Sequence, residues 1–373
     1  NHPDIPVRLG ANVWNFEIPE EPRLNNQFMF FVHRTTYDHD LEDYKRILRQ
    51  LSAYRGSPSN IEPKLKYEIR DGEVWINPEN DKFVEMARFC VDELGVKRLH
   101  FPHLGDHQVL GWQARKRKNR RFMGVKMFKD IPPYTEFTPE YEKRLVDYVK
   151  KASAFLKEKG LFENFKTVRS HNEPACVWLE TGKHFKMEAR FCDLIHEADP
   201  ELRVMTNMAL VINEPELNVI KDKMSVWAEQ TIGTGVTKEG VSHMITPKRV
   251  REQQAMDHEV MFYRNSHDFI DTGGHVSGDP HSALNHRLNG WIMAVTGTTG
   301  YYYDNGGIWA GLNERDAWRK IGRGWGGVRQ WGAGSPLYPT VNKCGGFNSS
   351  IRMELIRDGF EDTCLTQAVN ARL

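Results

Sequence analysis

The feature that most constrains the fold is an alternation, along most of the chain, of short β-prone runs with longer segments of helical period. The runs rich in β-branched and aromatic residues predict eight strands, at QFMFFVH (27–33), NIEPKLKY (60–67), KRLHFPH (97–103), FKTVRSH (165–171), RVMTNM (203–208), MSVWAE (224–229), VMFYR (260–264) and TGYYYD (299–304). Apolar residues at helical spacing predict helices at 38–54, 81–94, 139–160, 181–198, 247–256, 282–294 and 349–362.

About eight β-then-α units in single file predict parallel strands joined by helical crossovers, and the simplest closed form of that order is a (β/α)₈ TIM barrel. The 373 residues fit one such barrel, which needs about 250 residues, with loop extensions. A doubly wound open sheet is the alternative, but no GxGxxG or P-loop pattern follows an early strand. The stretch VRLGANVWNFEIPEEP (7–22) alternates like a β-strand, so we predict an N-terminal β-strand or linker at 1–22, which leaves 23–373 as the catalytic barrel.

Composition excludes several classes of function. The formal net charge of +1 gives no case for binding nucleic acid or a membrane surface, and no apolar run is long enough to span a bilayer. The five cysteines form no CxxC pair, and their odd number argues against a disulfide framework or a zinc site. We therefore expect no metal and no organic cofactor, and a secreted or periplasmic protein.

In a barrel the chemistry lies where strands end at the carboxyl face. The fourth predicted strand ends in RSHNEPACVW (169–178), where Glu173 follows Asn172 and precedes the strand-stopping Pro174. Glycoside hydrolysis needs a carboxylic acid to protonate the leaving oxygen, and an adjacent amide can hold a sugar hydroxyl. This pattern predicts Glu173 as general acid and Asn172 as a substrate ligand, against the alternative of a surface turn.

A second carboxylate is usually required for the same chemistry. Glu229 follows Trp227 at the end of the sixth predicted strand, and Asp304 follows three tyrosines at the end of the eighth. Either could act as base or nucleophile. The alternatives are a salt-bridged rim residue for Glu229 and an Asp-Asn-Gly turn for Asp304.

Histidine, aromatic and arginine side chains near the strand ends could bind sugar. The predicted substrate-binding residues are His103, His107, His171, Trp227, Tyr263, Tyr303 and Arg287. For the histidines the alternative is a satisfied loop side chain, and for Arg287 a structural ion pair. The basic run RKRKNRR (115–121) is either a solvated loop or a set of guanidinium and ammonium groups for an anionic glycan.

The chain resembles glycoside hydrolase family 123, the β-N-acetylgalactosaminidase-like barrels. The resemblance rests on SSIRMELIRDGFED (349–362), with VWNFEIPEEP (13–22), HRLNGWIMAVTGTTGYYYD (286–304) and SPLYPT (335–340). The charged residues of the first stretch indicate an ion-pair scaffold on the last helix: Arg352, Glu354, Arg357, Asp358, Glu361 and Asp362.

The resemblance implies that an Asp-Glu pair ends the fourth strand, with the Glu as general acid and the Asp orienting the substrate's own 2-acetamido nucleophile. Here that pair reads Asn172-Glu173, so the acid carries over and the Asp does not. Asn-Glu-Pro is also similar to the acid/base motif of the large retaining-glycosidase clan, but VMFYRNSHD (260–268) lacks the nucleophilic Glu that the clan has on the seventh strand.

We therefore predict a glycoside hydrolase acting on a neutral or anionic polysaccharide or complex glycan, with Glu173 as acid and Glu229 or Asp304 as the second carboxylate. The alternatives are a β-N-acetylhexosaminidase that uses substrate-assisted catalysis and a non-catalytic sugar-binding barrel.

Overall fold

The structure is a computed structural model that describes residues 25–28, 41–104, 121–129, 136–172, 183–208, 218–230, 247–264, 283–303, 337–339 and 347–370. Seven parallel strands form one sheet in the order β2-β1-β11-β10-β9-β8-β7. These strands are β1 (Gln27–Phe28), β2 (Ser57–Pro58), β7 (Thr167–Asn172), β8 (Arg203–Met208), β9 (Val226–Gln230), β10 (Glu259–Arg264) and β11 (Gly300–Tyr303). The linker predicted at 1–22 lies outside the described residues.

The segment around His100 closes this sheet into a barrel. His100 forms a parallel bridge with Thr167 of β7, and its backbone N–H donates to the carbonyl oxygen of Ser59, just beyond β2, at 2.6 Å. The N–H of Phe101 donates to Thr167 at 2.7 Å. This segment occupies the eighth position between β2 and β7, and the predicted (β/α)₈ barrel is confirmed.

Helices follow the strands as the hydrophobic periodicity predicts. They are α1 (Leu41–Ala53), α2 (Asp81–Arg88), α3 (Pro139–Glu158), α4 (Phe162–Phe165), α5 (Lys183–Ala198), α6 (Pro247–Gln254), α7 (Ala283–Thr296) and α8 (Ile351–Asn370), and a π-helical turn (Phe89–Glu93) extends α2. The first turn of α3 begins at Pro139, and the Thr138 side chain caps it by accepting the N–H of Tyr141 at 3.2 Å.

Three antiparallel hairpins lie outside the barrel sheet: β3 (Tyr67–Arg70) with β4 (Glu73–Ile76), β5 (Arg121–Phe122) with β6 (Val125–Lys126), and β12 (Leu337–Pro339) with β13 (Phe347–Ser349). The strand predicted at 60–67 is wrong. The barrel strand ends at Pro58, and Tyr67 instead begins the first hairpin. Pro63 lies between them and has no N–H to donate to a ladder.

Two apolar layers hold the barrel together. The larger lies between strands and helices and includes Phe28, Trp227 and Tyr301. The smaller fills the barrel interior and consists of Met205, Val226, Ala228, Met261, Tyr263 and Tyr302. Alternate residues of β9 therefore face opposite layers, as the pleat of a strand requires.

Candidate active site

The carboxyl ends of β7 to β10 form one edge of the barrel, and two predicted catalytic positions lie there. Asn172 is the last residue of β7, and its backbone is in register with Asn207 of β8. Glu229 lies in β9, in register with Met208 on one side and Phe262 on the other. Because these strands are parallel, both backbone positions lie at the face where barrel enzymes carry their active sites.

Several predicted site residues lie outside the described residues or have only their backbone described. Glu173 directly follows β7 and Asp304 directly follows β11, and both lie outside the described residues, as does His107. For His171, Asn172 and Glu229 the described part is the backbone alone. Their catalytic and binding roles remain predictions.

Below this edge, aromatic and cationic side chains line the barrel interior. The rings of Tyr263 and Tyr302 stack with centroids 5.8 Å apart, and the Arg169 guanidinium lies 5.2 Å from the Tyr302 ring centre. The His100 ring also faces this interior, 5.7 Å from the Tyr302 ring. All four side chains are buried, so Tyr263 has the position of a barrel-core residue.

The electrostatics of this interior are set by Arg169. Burial lowers the pKa of His100 well below its usual range, and the positive charges of Arg169 and Arg98 lower it further. The imidazole is therefore neutral at physiological pH, and among the described residues its Nε2 has no hydrogen-bond partner. In the described part of the chain, the interior thus contains the Arg169 cation and a neutral histidine.

Trp227 and Tyr303 lie on the opposite face of their strands, within the layer between strands and helices. The Trp227 indole is fully buried and donates its N–H to His258 Nδ1 at 3.2 Å. Tyr303 packs 5.8 Å from the Phe28 ring and is 6% exposed. Both have the surroundings of core side chains, and their predicted contact with substrate has no support in these contacts.

His103 is held by the protein itself. Its Nε2 lies 2.6 Å from the carbonyl oxygen of Leu65, and since a carbonyl only accepts, the ring nitrogen donates this bond. The ring packs edge-on against Tyr67 and Tyr148. These contacts fit the alternative stated for His103 from the sequence, a loop histidine whose hydrogen bond is made within the protein.

Sequence reasoning missed a buried polar pair behind β7. The Ser170 hydroxyl lies 2.8 Å from Glu188 Oε1, and both residues have no exposed surface. Burial raises the pKa of Glu188 to about 7, and hydrogen bonds with Ser170 and Thr206 only partly offset that effect. A signal was available, because Glu188 lies three residues after Phe185 and three before Phe191, on the apolar face of α5.

The described residues contain no group of three or more His, Cys, Asp or Glu side chains placed to bind a metal ion. Burial raises the pKa of Cys90 to about 12, which makes it an inert thiol, and Cys192 and Cys364 are likewise buried. Among the described helices none is long and apolar enough to cross a membrane.

Residues 71–369 match the protein family described as glycoside hydrolase 123, catalytic domain. The chain belongs to this family. Family 123 membership makes it a glycosidase with a carbohydrate substrate. No curated protein matches the chain.

The chain is also similar to several solved structures. The family 53 catalytic domain of Ignisphaera aggregans is 12% identical, with 91% of this chain and 97% of that one covered and a TM-score of 0.43. A family 5 mannosidase from Rhizomucor miehei is 10% identical, with 95% and 98% covered and a TM-score of 0.42. A broad-specificity endoglucanase of family 5, subfamily 4, from an uncultured bacterium is 10% identical, with 91% and 95% covered and a TM-score of 0.43.

The family 123 signature on α8 forms the predicted ion-pair scaffold. Arg287 of α7 binds Asp362 through two hydrogen bonds, at 2.7 and 2.9 Å, which is the structural alternative considered for that arginine. The other described members pair among themselves and with the chain after α1: Glu354 with Arg357 and the Tyr54 hydroxyl, Arg357 with Asp358, and Glu361 with Arg55. The side chain of Arg352 lies outside the described residues.

Proposed function

We propose that this family 123 glycosidase cleaves its substrate with Glu173 as general acid and Asn172 as a ligand of the sugar. The observation that carries the proposal is the end of β7. Asn172 is the last residue of β7, where this strand pairs with β8 at the carboxyl face. Glu173, the carboxylic acid of the Asn-Glu-Pro motif, is the next residue in the sequence. In the acid form, Glu173 would give its proton to the leaving oxygen as the glycosidic bond breaks.

The second carboxylate is proposed from the spacing along two strands. Tyr302 faces the barrel interior and Asp304 follows it by two positions, whereas Glu229 follows the outward-facing Trp227 by two positions. Residues two apart in an extended strand share a face. This spacing favours Asp304 over Glu229 as the group that activates water or attacks the sugar.

The test of Glu173 is the Glu173→Gln variant on two glycosides of one sugar, a nitrophenyl glycoside and a disaccharide. The nitrophenolate leaves without a proton, and the sugar alkoxide needs one. We expect kcat/KM on the disaccharide to fall by at least about 10²-fold, with a much smaller loss on the nitrophenyl glycoside. Equal losses on both would remove Glu173 from the acid role.

We further propose that the reacting sugar lacks a 2-acetamido group. An oxazolinium intermediate needs a carboxylate beside the amide N–H, and Asn172 offers only a dipole. The substrate-assisted route of a β-N-acetylhexosaminidase remains the second candidate, because the family match favours it. Efficient release of nitrophenol from an N-acetyl-β-galactosaminide, blocked by a thiazoline inhibitor, would establish the second candidate and refute the first.

An anionic glycan is the proposed substrate class, on the strength of the basic run at 115–121, of which 115–120 lie outside the described residues and Arg121 begins β5. Charge attraction between this loop and sulfates or uronates would lower KM and would be screened by salt. Replacing four of its basic residues by Gln should raise KM on a sulfated or uronate-containing polymer and leave a neutral polymer unaffected. An unchanged KM on every charged polymer would refute an anionic substrate.

A further inference from the structure

The strand that leads to the proposed acid contains an irregularity just before its end. Arg169 is in register with Met205 of β8, but Thr206 pairs with His171, so Ser170 is an extra residue with no partner of its own. Such a bulge re-aims the residues that follow it, and a slip of one residue moves a side chain to the other face of a strand. The bulge thus sets the register of Asn172, the residue that precedes Glu173 in the sequence.

Two buried polar groups hold this bulge from behind. The Ser170 Oγ lies 2.8 Å from Glu188 Oε1 of α5 and 3.2 Å from the backbone carbonyl oxygen of Met205. A hydroxyl has one hydrogen, so it cannot donate fully to both oxygens. A protonated Glu188 resolves this, because it donates to Ser170, which then donates to Met205. The chain of two bonds ties helix, bulge and neighbouring strand together.

The environment of Glu188 supports this neutral form. Its carboxyl has no exposed surface, and burial raises its pKa more than hydrogen bonds with Ser170 and Thr206 lower it. A buried carboxylate would be held by a cation or several donors, whereas a buried carboxylic acid needs fewer. The fully buried Cys192 lies one helical turn further along α5, and it is also uncharged because burial holds its pKa well above the usual range.

We propose that Ser170 and Glu188 are positioning residues that fix the bulge and thereby aim Asn172 and Glu173 at the bond to be cleaved. The inference rests on the proposed role of Glu173 as general acid. Neither residue contacts the substrate in this scheme. Their effect on catalysis follows from geometry, because displacing a proton donor by about 1 Å can cost about 10²-fold in rate.

The experiment compares leaving groups, because lost stability alone affects both substrates alike. Ser170→Ala and Glu188→Leu should each lower kcat/KM on the disaccharide by about tenfold or more, and on the nitrophenyl glycoside by less than about threefold. Glu188→Gln should stay close to wild type on both, because its amide N–H can donate to Ser170. The double variant Ser170→Ala/Glu188→Leu should be no worse than either single one, since both break the same chain.

Thr363→Ala is the matched control. Thr363 is fully buried on α8 and its hydroxyl lies 2.7 Å from the carbonyl oxygen of Gly290, so this variant loses a similar bond far along the sequence from β7. It should lose stability without any leaving-group preference. The positioning role is refuted if Ser170→Ala and a folded variant of Glu188, either Glu188→Leu or Glu188→Gln, lose the two activities in proportion. The general-acid proposal survives that result as long as Glu173→Gln still discriminates between the two substrates. If Glu173→Gln also fails to discriminate, the general-acid proposal falls, and the positioning role falls with it.

Discussion

Gly290 of α7 and Gly359 of α8 meet so closely that a side-chain carbon on Gly290 would lie 2.7 Å from Gly359 Cα and overlap its carbonyl oxygen. Gly359 is constrained in the same way, because a side-chain carbon on it would overlap the carbonyl oxygen of Arg287 on α7. The Gly of the Arg-Asp-Gly signature is therefore explained by helix contact. The contact also brings Arg287 within reach of Asp362.

Gly359→Ala and Gly290→Ala should each destabilise the domain by about 1–3 kcal/mol or more, since the helices must separate to admit a methyl group. Alanine in an unconstrained helix would have the opposite effect, because it is the better helix former. Chemical denaturation measures the change, and Val295→Ala on exposed α7 surface is the control, with 71% of that residue exposed. A stabilised Gly359→Ala would show that the helices do not meet here.

Glu188 predicts a pH dependence of stability that one variant removes. Its pKa is about 7 in the folded protein against the usual 4.5, so the folded state holds the proton more tightly than the unfolded state. Its contribution is fully present below pH 4.5 and is lost as pH rises through about 7, a total of about 3 kcal/mol. The stability of wild type relative to Glu188→Gln should fall over that window. A difference that does not change with pH would mean that Glu188 is ionised when buried.

An ion pair at the amino end of the barrel strands predicts that its removal will lower stability without lowering activity. Glu259, at the amino end of β10, bonds to Arg98 and lies 3.7 Å from Arg203. Burial raises the pKa of this carboxyl, but the two arginines outweigh burial and hold it below its usual range. The pair's stabilisation is therefore present above the unfolded pKa and is lost as pH falls through the folded value.

Glu259→Gln should cost about 2 kcal/mol in the free energy of unfolding because it leaves the partly buried Arg98 and Arg203 without their anion. Activity at a permissive temperature should be unchanged, since this end of the barrel lies away from the catalytic face. Glu136→Gln, which breaks the exposed pair with Lys129, is the control and should leave stability almost unchanged. A large loss of kcat in Glu259→Gln with the fold intact would contradict this division of faces.

The two candidate second carboxylates predict different losses. Asp304→Asn should lower kcat/KM by at least about 10²-fold on all substrates, whereas Glu229→Gln should retain most activity. Addition of azide, which can replace a missing carboxylate nucleophile or base, should restore turnover in the first variant alone. Full activity in both variants would favour the acetamido group of the substrate as nucleophile, and a severe loss in Glu229→Gln alone would reverse the assignment.

The sequence by itself determined the barrel and the position of its acid motif, because both depend on local pattern. Each central strand is an apolar run between helical segments, and the predicted strand at 203–208 coincides with β8. Period and length suffice to predict this strand, because β8 is a short run that pairs with β7 on one side and with β9 on the other. The helical face predicted for α1 is likewise the buried one, with Tyr44, Ile47, Leu48 and Leu51 inside.

The tertiary structure alone decided what depends on non-local contact. The strand predicted at 97–103 has a single bridge, at His100, because its ladder requires β2 and β7 on either side. Periodicity assigns Trp227 and Val226 to opposite faces but cannot say which face is the interior. The bulge at Ser170 bonds to Glu188, which lies 18 residues later on a helix. The position of Glu188 on the apolar face of α5 indicates burial, but only the packed barrel shows which residue is its partner.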